Sequence, residues 1–264
     1  MSLHPATSGF EDAERYERAR PDYPAEAVEL LLRELGVAPG SRVLDVGAGT
    51  GKLTRRLLER QLDVIAVEPI AGMRRTLERT APGADVRAGQ AEALPLVDGE
   101  VDGVVAAQAF HWFATPAALA EFARVVGGGG RLGLLWNRRD LGQPLQEALR
   151  RLVEPYRAGT PEHASDAWRR VFVPGAPFVH VAEHRVAHEQ ALDADGLVDR
   201  VLSISFVAGL PQAERREIEA RVRALVPAPR IPLRYVAELS VYSRSGSRGA
   251  SSSSSGSTGS GWPR

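Results

Sequence analysis

The chain has 264 residues, 44% hydrophobic and 25% charged, and its Lys plus Arg (33) equal its Asp plus Glu (33). That balance argues against bulk nucleic-acid binding, which needs a basic surface, while leaving room for a local basic pocket, and the absence of cysteine excludes disulfides, thiolate nucleophiles and cysteine metal sites. No apolar run reaches membrane-spanning length and the N-terminus lacks an apolar signal core, so the expectation is a cytoplasmic protein with no membrane partner.

Residues 1–40 read as an N-terminal helical cap. They hold the aromatic, arginine-rich "YERARPDYP" and then an amphipathic helix, "PAEAVELLLRELG". From 41 to 137, short apolar runs alternate with helical segments. "RVLDV" is a strand and "GKLTRRLLERQ" a helix with Leu53, Leu57 and Leu58 on one face. "DVIAVE" and "AGMRRTLERT" repeat the pair. "ADVRAG" is a short third strand and "VDGVVAAQA" a fourth. "PAALAEFARVV" is a helix with Pro116 near its first turn, and "GRLGLLWN" is a fifth strand. Strands with continuous apolar runs are buried on both faces, and strand–helix alternation gives a parallel sheet between two helical layers. The expected fold is α/β, a doubly wound, mostly parallel sheet. Residues 138–242 add two late strands, "PFVHVAEHRVAH" and "RYVAELSVYSR", and two helices, "PLQEALRRLVEPY" and "QAERREIEARVRALV". Residues 243–264 read as a disordered Ser/Gly tail, too polar to offset the entropy of ordering.

The glycine turn "VLDVGAGTGKLT" carries the functional signal. A phosphate-binding loop needs four residues between its glycines and a hydroxyl after the lysine. Here three residues separate Gly47 from Gly51, and Leu53 follows Lys52. A dinucleotide turn needs G-x-G-x-x-G, and the spacing here is G-x-G-x-G. Asp45 also disfavours both, because a carboxylate beside a helix N-terminus repels pyrophosphate. It suits a ligand with an ammonium and a sulfonium and no phosphate, which is S-adenosylmethionine. Glu68 ends the second strand about twenty residues on, where a ribose-binding acid belongs. By itself it would be an ordinary acid at a strand end; beside this turn it reads as a ligand residue.

With these motifs the chain resembles the class I S-adenosylmethionine-dependent methyltransferases, from about Phe10 to Tyr242. The resemblance rests on "VLDVGAGTGKLTRRL", "VIAVEPIAGM", "GQAEALPL", "AAQAFHWF" and "RVVGGGGRLGLLWNRRD". It is most similar to the branch of trans-aconitate methyltransferase-like proteins, which carry an N-terminal "Y…RPxYP" and "HWF" after strand four. The resemblance implies a Rossmann-like seven-stranded sheet with a helical cap. It also implies that Asp45, Gly47, Ala48, Gly49 and Gly51 face the methionine part of the cofactor. Glu68 would bind the ribose, with Pro69, Ile70 and Met73 against adenine and Gln90 and Ala91 at its edge. Relatives often have Asp at Gln90, and Pro-Gly where this chain has Gly127 to Gly130, read here as a flexible turn. Tyr16 and Arg20 belong to the segment that folds over the cofactor.

Ligands of open α/β sheets bind outside the carboxyl ends of the strands, so Gln108, His111 and Trp112 are candidates for the wall between cofactor and acceptor. His111 has two readings, a general base or acceptor-orienting group, or a histidine that holds its loop. Trp112 reads as wall. Tyr23, His111, Trp112, Arg138 and Arg139 are the candidate acceptor-binding residues, the two arginines as a bidentate carboxylate clamp. No metal site is expected: His184 and His188 have i, i+4 spacing on a strand and no H-E-x-x-H.

The expected function is methyl transfer from S-adenosylmethionine to a small molecule, with a carboxylic acid as the leading acceptor, by in-line displacement in a monomer or homodimer. The alternatives are methylation of a macromolecule such as tRNA or protein, disfavoured by the neutral charge, and a non-catalytic protein that binds S-adenosylmethionine. An NAD(P) oxidoreductase fails on the glycine spacing.

Overall fold

The computed structural model describes residues 12–245 except 158, 162 and 227. Phe10 and all but the first three residues of the Ser/Gly tail lie outside the described residues.

Seven strands form one sheet: β1 (Arg42–Val46), β2 (Asp63–Val67), β3 (Asp85–Arg87), β4 (Val101–Ala107), β5 (Val126–Arg139), β6 (Phe178–Leu192) and β7 (Ile231–Arg244). Their order is β3-β2-β1-β4-β5-β7-β6. Neighbours among β1 to β5 are parallel, and β7 is antiparallel to both β5 and β6. The chain winds outward from β1 to β3, then returns to the other side of β1 with β4. That reversal opens a crevice at the carboxyl ends of β1 and β4.

Burial follows the apolar runs. Only the first residue of β1 and of β2 is exposed. On one face, α2 (Ala25–Leu35) buries Val28, Leu31 and Leu35 against Val43, Val64 and Val105. It stops at Gly36, whose left-handed backbone (φ 73°) caps the helix. On the other face, α5 (Pro116–Val125) packs Leu119 and Phe122 against Leu44, Val104 and Leu132. Pro116 opens α5, and the Thr115 hydroxyl accepts from the Ala118 N–H at 3.1 Å. The helices α3 (Lys52–Leu58) and α4 (Ala71–Thr80) follow β1 and β2 as the sequence pattern indicates.

The glycine run read as a turn before strand five lies within β5. Val126 pairs with Val101 and Arg131 with Gly103, so residues 127–130 bulge out of β5 between two paired positions. Its last residue is packed, since a Cβ on Gly130 would lie 2.1 Å from Val126 Cγ2 and 2.9 Å from the Asp102 carbonyl oxygen, while Gly128 and Gly129 are exposed.

Late in the chain, α6 (Pro144–Val153), α7 (Ala194–Leu202), α8 (Ser205–Ala208) and α9 (Gln212–Ala224) gather around their own apolar cluster. Leu149, Leu197, Val201, Ile218 and Val222 meet there with Ile231, Leu233 and Tyr235 of β7. Further along β7, Ala237, Leu239 and Val241 join the cluster under α2. The sequence pattern revealed α6 and α9 but neither α7 and α8 nor α1 (Ala13–Ala19). β7 also runs to Arg244, two residues into the stretch read as tail. Among the described residues, no helix is long and apolar enough to cross a membrane.

α1 starts at Asp12, whose carboxylate accepts from the Arg15 N–H at 3.0 Å. It lies between the glycine turn and α7. Glu17 accepts from the Thr50 hydroxyl at 2.5 Å and from Arg55 at 2.8 Å. On the opposite side, Arg15 donates to Asp199 at 3.0 Å.

Candidate active site

The crevice between β1 and β4 is a cavity of about 460 Å³, within the range of small-molecule sites. Its floor is the glycine turn, where Gly47, Gly49 and Gly51 all have positive φ (68°, 59° and 87°). The three glycines serve different ends. A Cβ on Gly49 would meet nothing within 4 Å and would stand in the cavity. One on Gly47 would come 2.8 Å from Ala109 Cβ, so the β1 and β4 loops need that glycine to approach each other. One on Gly51 would come 2.5 Å from Leu77 Cδ1 of α4.

Two buried carboxylates define one end. Asp45 is 1% exposed, and its Oδ2 accepts from the Thr54 hydroxyl at 2.7 Å. Its Oδ1 is buried without a partner among the described residues. Burial, with a smaller push from Glu68, raises its carboxyl to about 7 against the Thr54 hydrogen bond. Glu68, 5% exposed, accepts the Gly49 N–H on Oε2 and the Ile70 N–H on Oε1, both at 2.9 Å. Burial raises it too, opposed by those two backbone bonds. Each Glu68 oxygen keeps a second acceptor site. Arg74 donates to the Glu68 and Pro69 carbonyls at 2.8 and 2.7 Å and fixes the turn after β2. Pro69, Ile70, Met73, Gln90 and Ala91 line the cavity beyond Glu68.

The other end is formed by the β4 and β5 termini, the N-terminal segment and α7. Gln108 has a left-handed backbone (φ 57°), uncommon outside glycine and typical of constrained sites. Its N–H donates to the Leu135 carbonyl at 2.8 Å, and its amide to the Asn137 carbonyl at 3.2 Å. Tyr16, Arg20, Tyr23, Trp112, Asn137 and Arg200 complete this end. The Arg20 guanidinium lies 4.8 Å from the Tyr16 ring centre and donates to the Ser203 carbonyl at 2.8 Å. Its Nε is buried without a partner among the described residues. Burial and the neighbouring Arg200 lower Arg20 to about 10, so it stays a cation at neutral pH.

A family model described as "Methyltransferase domain" matches residues 44–134, from β1 to β5. An uncharacterized methyltransferase of Mycobacterium tuberculosis is 44% identical over 215 residues, covering 80% of this chain and 82% of that protein. The chain belongs to the class I S-adenosylmethionine-dependent methyltransferases. An uncharacterized methyltransferase-like protein of Schizosaccharomyces pombe is 36% identical over 212 residues, covering 80% of this chain and 82% of that one. A structure from Anaeromyxobacter dehalogenans described as a type II methyltransferase aligns with a TM-score of 0.65 at 25% identity, over 85% of this chain and 97% of that one.

In this methyltransferase the cavity gathers most of the residues singled out from the sequence. Tyr16, Arg20, Asp45, Gly47, Ala48, Gly49, Glu68, Gln108 and Trp112 line it, together with Tyr23 and the five residues beyond Glu68. Gly51 does not. It caps the start of α3 and packs on α4.

His111, Arg138 and Arg139 are also outside the lining. His111 sits in a 3-10 turn, Phe110–Trp112, where its Nδ1 faces the Trp136 Nε1 donor at 3.4 Å. Burial, with His163 and Arg20 nearby, lowers it to about 3, which leaves a neutral ring and a very weak base. Arg138 points away from the cavity to Glu238, 3.3 Å away. Arg139, at the end of β5, pairs with Tyr235 across the sheet and is near enough to Arg20 to lower its affinity for a proton. The carboxylate clamp read from these two arginines is therefore not formed at the cavity.

Sequence reasoning missed Asn137 and Arg200. The signal for Arg200 was present: Leu197, Val201 and Ile204 recur at helical spacing, and Arg200 falls inside that apolar stripe. Asn137 is 9% exposed and donates to the Asp22 carbonyl at 3.1 Å, while its Oδ1 faces His188 Nε2 at 2.8 Å. Among the described residues, no group of three or more His, Cys, Asp or Glu is placed to hold a metal ion.

Proposed function

We propose that this methyltransferase binds S-adenosylmethionine in the cavity and methylates a small carboxylic acid. The residues fit the cofactor. The unpartnered Asp45 Oδ1 offers an acceptor to the ammonium group, and its carboxyl, made a weaker acid by burial, is one that a cationic ligand would return toward its ordinary strength. The free acceptor sites on Glu68 suit two ribose hydroxyls. The open space above Gly49 admits the ligand backbone, and the unpartnered Arg20 Nε suits the methionine carboxylate. When bound, the cofactor supplies a methyl group on a sulfonium, whose transfer forms the acceptor–carbon bond and leaves the carbon–sulfur electron pair on a neutral thioether.

The acceptor class is supported by the placement of the bases: among the described residues lining the cavity there is no histidine, and the two carboxyls raised by burial, Asp45 and Glu68, stand at the end read as the cofactor's. A neutral oxygen or nitrogen acceptor that must lose a proton needs a base of suitable strength. A carboxylate is already an anion and needs only alignment and exclusion of water. The covering of the cavity by α7 and the N-terminal segment favours a metabolite over a macromolecule, as does the zero net charge. The test is an activity screen over a metabolite library that reads out S-adenosylhomocysteine. Turnover of carboxylic acids and of no tRNA or protein is the expected outcome. Calorimetry showing NADH binding without S-adenosylhomocysteine binding would remove the cofactor assignment.

A further inference from the structure

Arg200 lies on α7, is 6% exposed, and lines the cavity beside Arg20. Its one hydrogen bond among the described residues uses Nε, which donates to the Tyr235 hydroxyl at 3.1 Å. Tyr235 is itself buried, and its hydroxyl reaches Gln190 Oε1 at 3.5 Å. Gln190 in turn donates to the Ala19 carbonyl at 3.1 Å. This chain of bonds fixes the guanidinium on its Nε side and leaves the outer nitrogens unbonded.

Arg20 and Arg200 form no ion pair with any carboxylate among the described residues, although Asp45, Glu68 and Glu92 line the same cavity. The acids stand at the ends of β1 and β2 and on the loop after β3. The cations stand on the N-terminal segment and α7. Burying two like charges without a counter-ion is costly. A cofactor carboxylate would offset one of them, and the second needs a further anion.

We infer that Arg200 is the acceptor-recognising residue, a buried guanidinium that binds a carboxylate group of the methyl acceptor through its outer nitrogens. This rests on the proposed function and assigns the acceptor end of the same cavity. The planar fork of arginine matches the two oxygens of a carboxylate. The Tyr235 bond orients that fork before the ligand arrives, so less rotamer freedom is lost on binding. Because the site is on the late helical addition, acceptor choice is separated from the β1–β5 part that carries Asp45, the glycines and Glu68.

The experiment is calorimetry on the full chain. S-adenosylhomocysteine is titrated first, and propane-1,2,3-tricarboxylate, its trimethyl ester and inorganic phosphate are then titrated into the loaded protein. The tricarboxylate should bind and the ester should not. Arg200→Met should weaken tricarboxylate binding at least about tenfold, the loss expected for charge-assisted hydrogen bonds, with S-adenosylhomocysteine affinity within about twofold of wild type. Arg138→Met should leave both unchanged, since that side chain pairs with Glu238. If Arg200→Met does not fold, Arg200→Lys carries the test: it keeps a charge but loses the fork, and weaker tricarboxylate binding is again expected.

Equal tricarboxylate affinity in the Arg200 variant and wild type, equal binding of the ester, or no binding of the tricarboxylate would overturn the inference. Binding of phosphate in place of the tricarboxylate would overturn the carboxylate assignment. A wild-type protein that fails to bind S-adenosylhomocysteine would instead overturn the reading on which it rests.

Discussion

The Gly49 N–H donates to Glu68 Oε2 at 2.9 Å and ties the glycine turn after β1 to the acid that ends β2. One residue therefore shapes the floor of the cavity and presents acceptor atoms to it. Removing the carboxylate should cost binding more than folding, because the apolar faces of both strands are untouched. Glu68→Ala is expected to weaken S-adenosylhomocysteine by roughly 1.5–3 kcal/mol for each charged bond lost. Calorimetry of the two proteins measures this, and unchanged affinity would assign the ribose to another residue.

Asp45 gives the cofactor site a pH dependence. Free, its carboxyl stands at about 7 and is half protonated near neutrality. An ammonium beside Oδ1 favours the ionised form. Cofactor binding at pH 7 should then release up to about half a proton per chain, and affinity should fall as pH drops below about 7. Calorimetry in two buffers of different ionisation enthalpy counts the proton. Asp45→Asn should abolish the release, and a release that persists in that variant would point to a different group.

The glycines separate binding from folding. Gly49→Ala places a methyl group in the cavity at φ 59°, where an L residue is strained by about 1–2 kcal/mol. Its cofactor affinity should drop at least about tenfold while the protein stays folded. Gly51→Ala drives a methyl group into Leu77 and should lose about 2–4 kcal/mol of stability, as strain and overpacking add. Urea unfolding and calorimetry on both variants check the contrast, and the reverse ranking would mean that Gly51 faces the ligand.

His111 bears on acid stability more than on catalysis. Its folded value of about 3 lies below that of the unfolded side chain, near 6.5. The unfolded state takes up the proton first, so the contribution of His111 to stability is whole above about pH 6.5 and is lost as pH falls toward 3. His163, lowered by burial to about 4, acts in the same direction. Asp45 and Glu68, raised by burial, act in the opposite direction, so the test is a difference: relative to wild type, the urea midpoint of His111→Gln should rise as pH goes from 7 to 5. The variant should retain a kcat close to wild type. A limb near pH 6.5 in kcat that disappears with the histidine would restore His111 as a general base.

How far the sequence could be read depended on how local each feature is. Asp45, the glycines and Glu68 are set by one strand–turn–helix unit and the end of the next strand, so spacing alone placed them. Arg200 is about 150 residues further along and reaches the cavity only because α7 packs beside α1, a tertiary event that no local pattern encodes. The error at Arg138 has a simpler cause. Successive strand residues face opposite sides, so Asn137 lines the cavity and Arg138 pairs with Glu238. The bulge at 127–130 was missed because a glycine run signals a free turn and a strand bulge equally well.

β7 bears on how ligands reach the cavity. Its first half packs in the cluster of the late helices and its second half in the cluster under α2, while paired strands flank it on both sides. The late addition is thus bolted to the sheet along a whole strand and cannot swing aside without breaking two apolar clusters. α1 buries only Ala13 and Ala19 and is otherwise tied by side-chain pairs, Glu17 with Arg55 and Arg15 with Asp199, both half-buried, and the exposed Glu14 with Arg79, the last of a kind that contributes little. Of the elements around the cavity, the N-terminal segment is therefore the one expected to yield as ligands pass. Raised salt, which weakens the exposed Glu14–Arg79 pair most, should then speed product release.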